Sequence, residues 1–214
     1  MRGSRLSPLE RYLSFSSYYT ATELQGLVTP ELGAALRGYD PLARHRGYLD
    51  ATAGLDELSR LQYLDHKTFL PCLNLTYTDK MSMAASVEVR VPFVDPVVAQ
   101  AAFAIPGRDK IRNRQGKLAL KRAAEQWLPH EIVYRPKASF SAPLRAWVRN
   151  DLRDVINDML VHGELIGSGM IRPAALDRLI EAERAGREDN AKQIWQLLSM
   201  ELWYRNARSM GVAA

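Results

Sequence analysis

The chain has 214 residues, 47% hydrophobic and 25% charged, with a net charge of +5 and one cysteine. This balance excludes disorder over the whole length, and the lone Cys72 excludes an internal disulfide or a cysteine-rich metal centre. No stretch approaches the roughly 18 uninterrupted apolar residues of a membrane span, and "MRGSRLSPLERYLSF" lacks the apolar core of a signal peptide, so a cytoplasmic protein with no membrane partner is expected. Basic residues alternate with acids, as in "RLIEAERAGRED", and no run of five or more occurs, which argues against nucleic acid as a partner.

In chain order, "SPLERYL" and "TPELGAAL" each open like a helix, with Ser7 or Thr29 before a proline, while "FSSYYTATEL" between them reads as loop. "LDELSRLQYLDHKTFL" sets Leu55, Leu58, Leu61 and Leu64 along one helical face and stops at Pro71. "TYTDKMSMAAS" suits a helix capped by Thr76 or Thr78. In "SVEVRVPF", Val87, Val89 and Val91 alternate with Glu88 and Arg90, the strongest strand signal in the chain. "DPVVAQAAFAI" carries Asp95 at the cap and Pro96 in the first turn. "GKLALKRAAEQWL" predicts a helix closed by Pro129, and "APLRAWVRNDLRDVINDMLV" one long amphipathic helix. "HGELIGSGM" reads as a Gly-rich linker before a final helical pair, "RPAALDRLIEAERAG" and "NAKQIWQLLSMELWYRNA", whose Trp195, Leu198, Leu202 and Trp203 are assigned to the core. The expected fold class is mainly α, with about seven or eight helices and no internal repeat.

Two stretches combine charge, hydroxyls and local stiffness. In the first, residues 70–95, Asp79, Lys80 and Ser82 fall near a predicted helix start, where free amides favour an anion. Glu88 and Arg90, two apart in an extended run, project to one side and can pair. They read either as a structural ion pair or as the lining of a ligand cleft. In the second, residues 128–143, Arg135 and Lys137 flank Pro136, which fixes its own φ and biases Arg135 toward extended geometry. Two cations turned the same way on a stiff loop suit a phosphate or pyrophosphate; solvated surface charge is the other reading. His45, His66, His130 and His162 show no metal-binding spacing, so no metal site is expected from the residues themselves. Neither GxSxG nor a Gly-rich phosphate loop occurs, and Cys72, in "LPCLNL", reads as a packing thiol.

Taken together and in this order, the two stretches resemble the glutamine-hydrolysing asparagine synthetases. "DKMSMAASVEVRVPFVD" fits the family's D-[RK]-x-S-M-x-x-x-x-E-x-R-x-P-F-[LV]-D at Asp79, Lys80, Ser82, Met83, Glu88, Arg90, Pro92, Phe93 and Asp95. "GKLALKRAAEQWLPHEIVYRPKASFSAPLRAWV" is similar to its K-x-x-L-[RK]-x-A…LP-x-x-[IV]-x-x-R-x-K-x-x-F-x-x-P at positions that include Lys117, Leu120, Lys121, Arg135, Lys137, Phe140 and Pro143.

The resemblance implies a carboxylate activated by Mg-ATP as an acyl-adenylate, with pyrophosphate leaving, then amide formation with ammonia from a glutaminase domain. It implies Lys137, Glu88 and Asp79 as catalytic residues, and Lys137, Arg135, Lys80, Ser82 and Arg90 as nucleotide-binding residues. ATP and Mg2+ are the implied cofactors. The implied partners are a small-molecule carboxylate such as aspartate, an upstream synthetase half, the glutaminase domain and a homodimer mate. The family's SGG-x-DS pyrophosphate loop and its SGEGSDE-like motif are absent, Met1 is followed by Arg2 rather than cysteine, and "LPCLNL" stands where relatives carry "LPDDLL". The expectation is a partial synthetase domain over 1–214, inactive alone. It divides into an N-terminal segment (1–54), site-bearing helices and loops (55–143) and C-terminal helices (144–214). It would be the helical C-terminal portion of an α/β adenine-nucleotide alpha-hydrolase-like (ATP pyrophosphatase) domain, with most of the parallel sheet missing. The competing reading is a helical interaction module that keeps the scaffold without catalysis.

Overall fold

The computed structural model describes residues 6–113, 115–136 and 142–211. Among the described residues the chain is helical, with no strand and only two isolated bridges, Val28 with Ile171 and Arg112 with Gln115. No described helix is long and apolar enough to cross a membrane. The chain forms two units, one from residues 6–13 and 40–136 and the other from Ser14–Tyr39 and 142–211.

The second of these units holds the main core. Pro173–Arg184 buries Leu176 and Ile180, and Ala191–Ser209 buries Ile194, Leu197 and Leu198. Val148, Ile156, Leu160, Leu165, Ile171, Leu27 and Ala191 complete the cluster. Helix starts are signalled locally. Thr20 and Glu23 form a reciprocal capping box at Ala21–Leu27, and Thr29 accepts the Leu32 amide at 3.3 Å ahead of Pro30–Ala35. Two carboxylates with no exposed surface tie the unit together. Glu201 accepts the Glu164 and Leu165 amides at 2.7 and 2.9 Å and Arg205 Nε at 2.6 Å. Glu183 accepts Arg149 Nε at 2.7 Å and the Asn190 amide at 2.6 Å. A buried charge survives only with such partners. Gly163 is required beside the Glu201 node, because a Cβ there would lie 2.2 Å from Met159 O and 2.8 Å from the Glu201 carboxyl.

The other unit is built on Glu57–Lys67, whose fully buried Leu64 is its best-enclosed side chain. Asp56 caps this helix through the Ser59 amide at 3.2 Å and hydroxyl at 2.7 Å. It also reaches the Gly107 amide, and the Ser59 hydroxyl bond leads the causes that hold its carboxyl below the usual aspartate value. Lys110 donates to Gln62 at 3.0 Å and lies 5.5 Å from the Phe103 ring centre. Pro96–Ala104 starts as expected, with Asp95 accepting the Val97 amide at 2.8 Å.

Several expectations fail for local reasons. The 87–91 stretch joins no ladder, because nothing among the described residues offers a second strand. Thr76 and Thr78 cap nothing: a π-helix, Leu70–Leu75, runs straight into Thr76–Ala84, and the Thr76 hydroxyl donates back to Pro71 O at 2.6 Å. Cys72 is exposed rather than packed. "FSSYYTATEL" contains the capped start of a helix. The long helix expected over 142–161 is three pieces, Leu144–Arg149, Arg153–Ile156 and a π-turn at Asn157–Val161. The expected linker holds Glu164–Gly167, with Leu165 buried. Of the four residues assigned to the core in the last helix, Leu198 is buried while Trp195, Leu202 and Trp203 are exposed.

Candidate functional site

The family-matched charged residues that the structure describes all lie in the 6–13/40–136 unit, while the matched Pro143 lies in the other. Asp79, Lys80 and Ser82 sit on Thr76–Ala84, with the Ser82 hydroxyl donating to Asp79 O at 3.0 Å. Asp79 and Lys80 are exposed. The preceding π-helix already uses the amide of Thr76, which donates to Leu73 O, so the free helix start expected to attract an anion here does not exist. The helix ends in a tight reversal: the Ser86 amide donates to Met83 O and the Val87 amide to Ser82 O, both at 2.9 Å, and Ser86 takes the left-handed φ of 57°.

From Glu88 to Arg90 the chain runs without helical or sheet hydrogen bonds, and the Val91 carbonyl opens the next turn by accepting the Val94 amide at 2.9 Å. Glu88 and Arg90 form the anticipated ion pair at 2.7 Å, with side chains 67% and 84% exposed. A pair so open to water contributes little stability. Its two charged groups are free to turn toward a ligand. Arg135 is exposed beside Pro136. Lys137, expected to be the principal catalytic cation, lies outside the described residues, as does Phe140. No hydrogen bond or ion pair among the described residues joins Arg135 to residues 79–90.

The base of the Arg135 segment has an anchor that sequence reading missed. His130–Val133 leads to Tyr134, whose hydroxyl donates to Glu125 and whose ring stacks on His130 at 4.4 Å. Lys121 Nζ lies 5.0 Å from the same ring centre. The hydrogen bond to the Glu125 carboxylate raises the Tyr134 hydroxyl above the ordinary tyrosine range. Lys121 is one of the family-matched positions, but its contact with an aromatic ring thirteen residues on has no local signal. Lys117, another matched position, adopts a left-handed φ of 61° at the start of Leu118–Ala124.

Two open clefts, of about 630 and 510 Å3, belong instead to the core-bearing unit. The first is bordered by the Arg145–Asp189 ion pair, Arg149 and Lys192; the second by Tyr19, Glu23, Arg178 and Glu188. Neither contains a family-matched charged residue. No three His, Cys, Asp or Glu side chains among the described residues gather as a metal ion would require.

The sequence profile of the asparagine synthase family matches residues 5–205. The glutamine-hydrolyzing asparagine synthetase 1 of Bacillus subtilis is 30% identical over 173 residues, which cover 79% of this chain and 27% of that relative. A Mycobacterium bovis protein named "Putative asparagine synthetase (glutamine-hydrolyzing)" is 34% identical over 154 residues, 72% of this chain and 23% of that relative. The chain thus spans about a quarter of the length of these curated relatives. No solved structure matches it significantly.

Proposed function

This chain belongs to the asparagine synthase family, and on that premise we propose that it forms the pyrophosphate-facing part of an ATP-dependent amide synthetase whose nucleotide cradle is supplied by further polypeptide. The observation that carries this reading is the family match over 5–205, which includes both charged stretches. In the proposed reaction a carboxylate oxygen attacks the α-phosphorus of ATP and the bond to pyrophosphate breaks. Ammonia then attacks the acyl carbon, AMP leaves and the nitrogen gives up a proton. Ammonia comes from glutamine in a glutaminase domain.

Lys137 stabilises the charge that develops on the departing pyrophosphate, and a fixed ammonium does so without reorganising. Arg135 supports it from the segment whose base Tyr134 holds. Lys80, Ser82 and Arg90 offer donors to phosphate oxygens, and Glu88 and Asp79 offer carboxylates for the substrate or its protons. Mg2+, held mainly with ATP by the complementing half, would supply charge neutralisation at the phosphates, as this cation commonly does. The assembled fold is an α/β adenine-nucleotide alpha-hydrolase-like domain, of which this chain supplies helices. Aspartate, or an analogue presenting one free carboxylate, is the acceptor, and the cytoplasm is the place of action.

Isothermal titration with Mg-ATP tests the division of labour. The chain alone is expected to show no micromolar affinity. A hybrid in which it replaces the matched region of the Bacillus subtilis relative is expected to release pyrophosphate with ATP and aspartate. Micromolar binding by the chain alone contradicts the need for a complementing half. A folded hybrid that binds ATP but releases no pyrophosphate identifies the chain as a non-catalytic module.

A further inference from the structure

The cleft of about 630 Å3 in the core-bearing unit is lined by three cations, Arg145, Arg149 and Lys192, and one acid, Asp189. Arg145 and Arg149 stand one helical turn apart on Leu144–Arg149, so their side chains leave the same face. Lys192 comes from the first turn of Ala191–Ser209. A different group holds each cation. Asp189 accepts two donors of Arg145, Nε at 3.2 Å and Nη2. Glu183, with no exposed surface, accepts Arg149 Nε at 2.7 Å. The Lys192 ammonium lies 5.3 Å from the ring centre of Tyr18. Arg145 Nη1, both Nη nitrogens of Arg149 and the Lys192 ammonium make no hydrogen bond among the described residues.

We propose that this cleft binds a phosphate group, free or carried by a small molecule. Asp189 marks the place: its carboxylate occupies the two-donor fork of Arg145 that suits two phosphate oxygens equally well. That pair is 56% and 61% exposed, so it contributes little to the fold, and an incoming phosphate displaces Asp189 into water. Glu183 cannot follow, because its second oxygen holds the Asn190 amide at 2.6 Å. With Asp189 turned away, three cations face the buried Glu183 alone, an excess of two positive charges. A phosphate dianion neutralises that excess, whereas a single carboxylate leaves half of it. Pro143, Leu144 and Ala146 give the cleft an apolar wall for the body of a phosphate ester.

The cleft of about 510 Å3 in the same unit shows the opposite balance, with Glu23, Glu181 and Glu188 against Arg178 and Arg187, and so repels the same ligand. Phosphate binding beside Arg149 needs neither ATP nor a complementing half, and uses none of the charged residues assigned to amide formation. The two readings therefore stand or fall separately.

Nuclear magnetic resonance titration of the full 15N-labelled chain with inorganic phosphate and with phenyl phosphate, at fixed ionic strength, tests the site. Saturable shifts are expected at the amides of residues 145–150 and 189–193, with a dissociation constant on the order of millimolar or below. Tighter binding of phenyl phosphate supports an ester as the ligand; equal binding supports free phosphate. Arg145→Gln and Lys192→Gln are each expected to weaken binding roughly tenfold, as loss of a charged donor does. Asp189→Asn removes the internal competitor and is expected to tighten binding about threefold. All three side chains are exposed, so none of these changes removes a buried contact. Arg149 is left in place because its loss would strand buried Glu183. Absence of saturable shifts at these amides with about ten millimolar of either probe overturns the proposal. So do equal shifts with succinate, or an Asp189→Asn variant that binds phosphate more weakly than the unaltered chain.

Discussion

In the core-bearing unit, Glu183 and Glu201 have no exposed surface, and each is satisfied by an arginine and at least one backbone amide. In the unit that carries the family-matched charges, Tyr77, Met81, Val87, Phe93 and Val97 are exposed, and Glu88 and Arg90 pair in open water. The first unit can afford buried carboxylates because a continuous apolar cluster surrounds them. The second encloses little more than Leu64, Leu49 and Leu118 among its large apolar side chains. The candidate site is therefore set on the unit that encloses fewer large apolar side chains among the described residues.

The sharpest way to break this comparison is to damage the enclosed unit. Glu201→Ala removes one buried carboxylate and strands two amides and Arg205, and is expected to cost about 3–5 kcal/mol in urea unfolding. Gly163→Ala attacks the same node by steric overlap and is expected to lower the unfolding midpoint as well. If neither change moves the midpoint, the node does not hold the unit. Hydrogen exchange sharpens the contrast directly. Amides of Thr76–Ala84 are expected to exchange roughly a hundredfold faster than those of Pro173–Arg184, because opening the former exposes little new apolar surface. Equal protection would contradict the asymmetry.

Smaller effects probe the open unit itself. Asp56→Ala removes a side-chain cap and is expected to cost about 1 kcal/mol. The Asp56 carboxyl titrates below its ordinary 3.8 when folded. Its contribution is therefore present at neutral pH and disappears as the pH falls through that folded value. In the variant, the loss of stability below about pH 4 should be correspondingly shallower. Ser86→Gly relieves a left-handed φ of 57° and is expected to gain about 0.5–1 kcal/mol, read as a higher midpoint.

How much of this was legible in the sequence follows from how far each signal reaches. Asp95 before Pro96 and Thr29 before Pro30 announce helix starts because a cap acts within three residues. The Glu88–Arg90 pair was equally local. Apolar periodicity identified the last helix but not which of its apolar residues are enclosed: Trp195 and Trp203 keep the spacing of core residues yet face water. The strand pattern at 87–91 states a preference for a ladder and says nothing of a partner. The Glu164–Gly167 turn was hidden by its glycines, since its stability comes from Glu201, thirty-seven residues away from Glu164. Tyr134 was missed for the same reason, its anchors being Glu125 and Lys121 rather than neighbours in the chain.

Lys137→Ala in the Bacillus subtilis hybrid tests the proposal that an ammonium meets the departing pyrophosphate. Pyrophosphate release is expected to fall about a hundredfold with ATP affinity changed far less, as loss of one fixed donor to developing charge requires. A rate within twofold of the unaltered hybrid would contradict it.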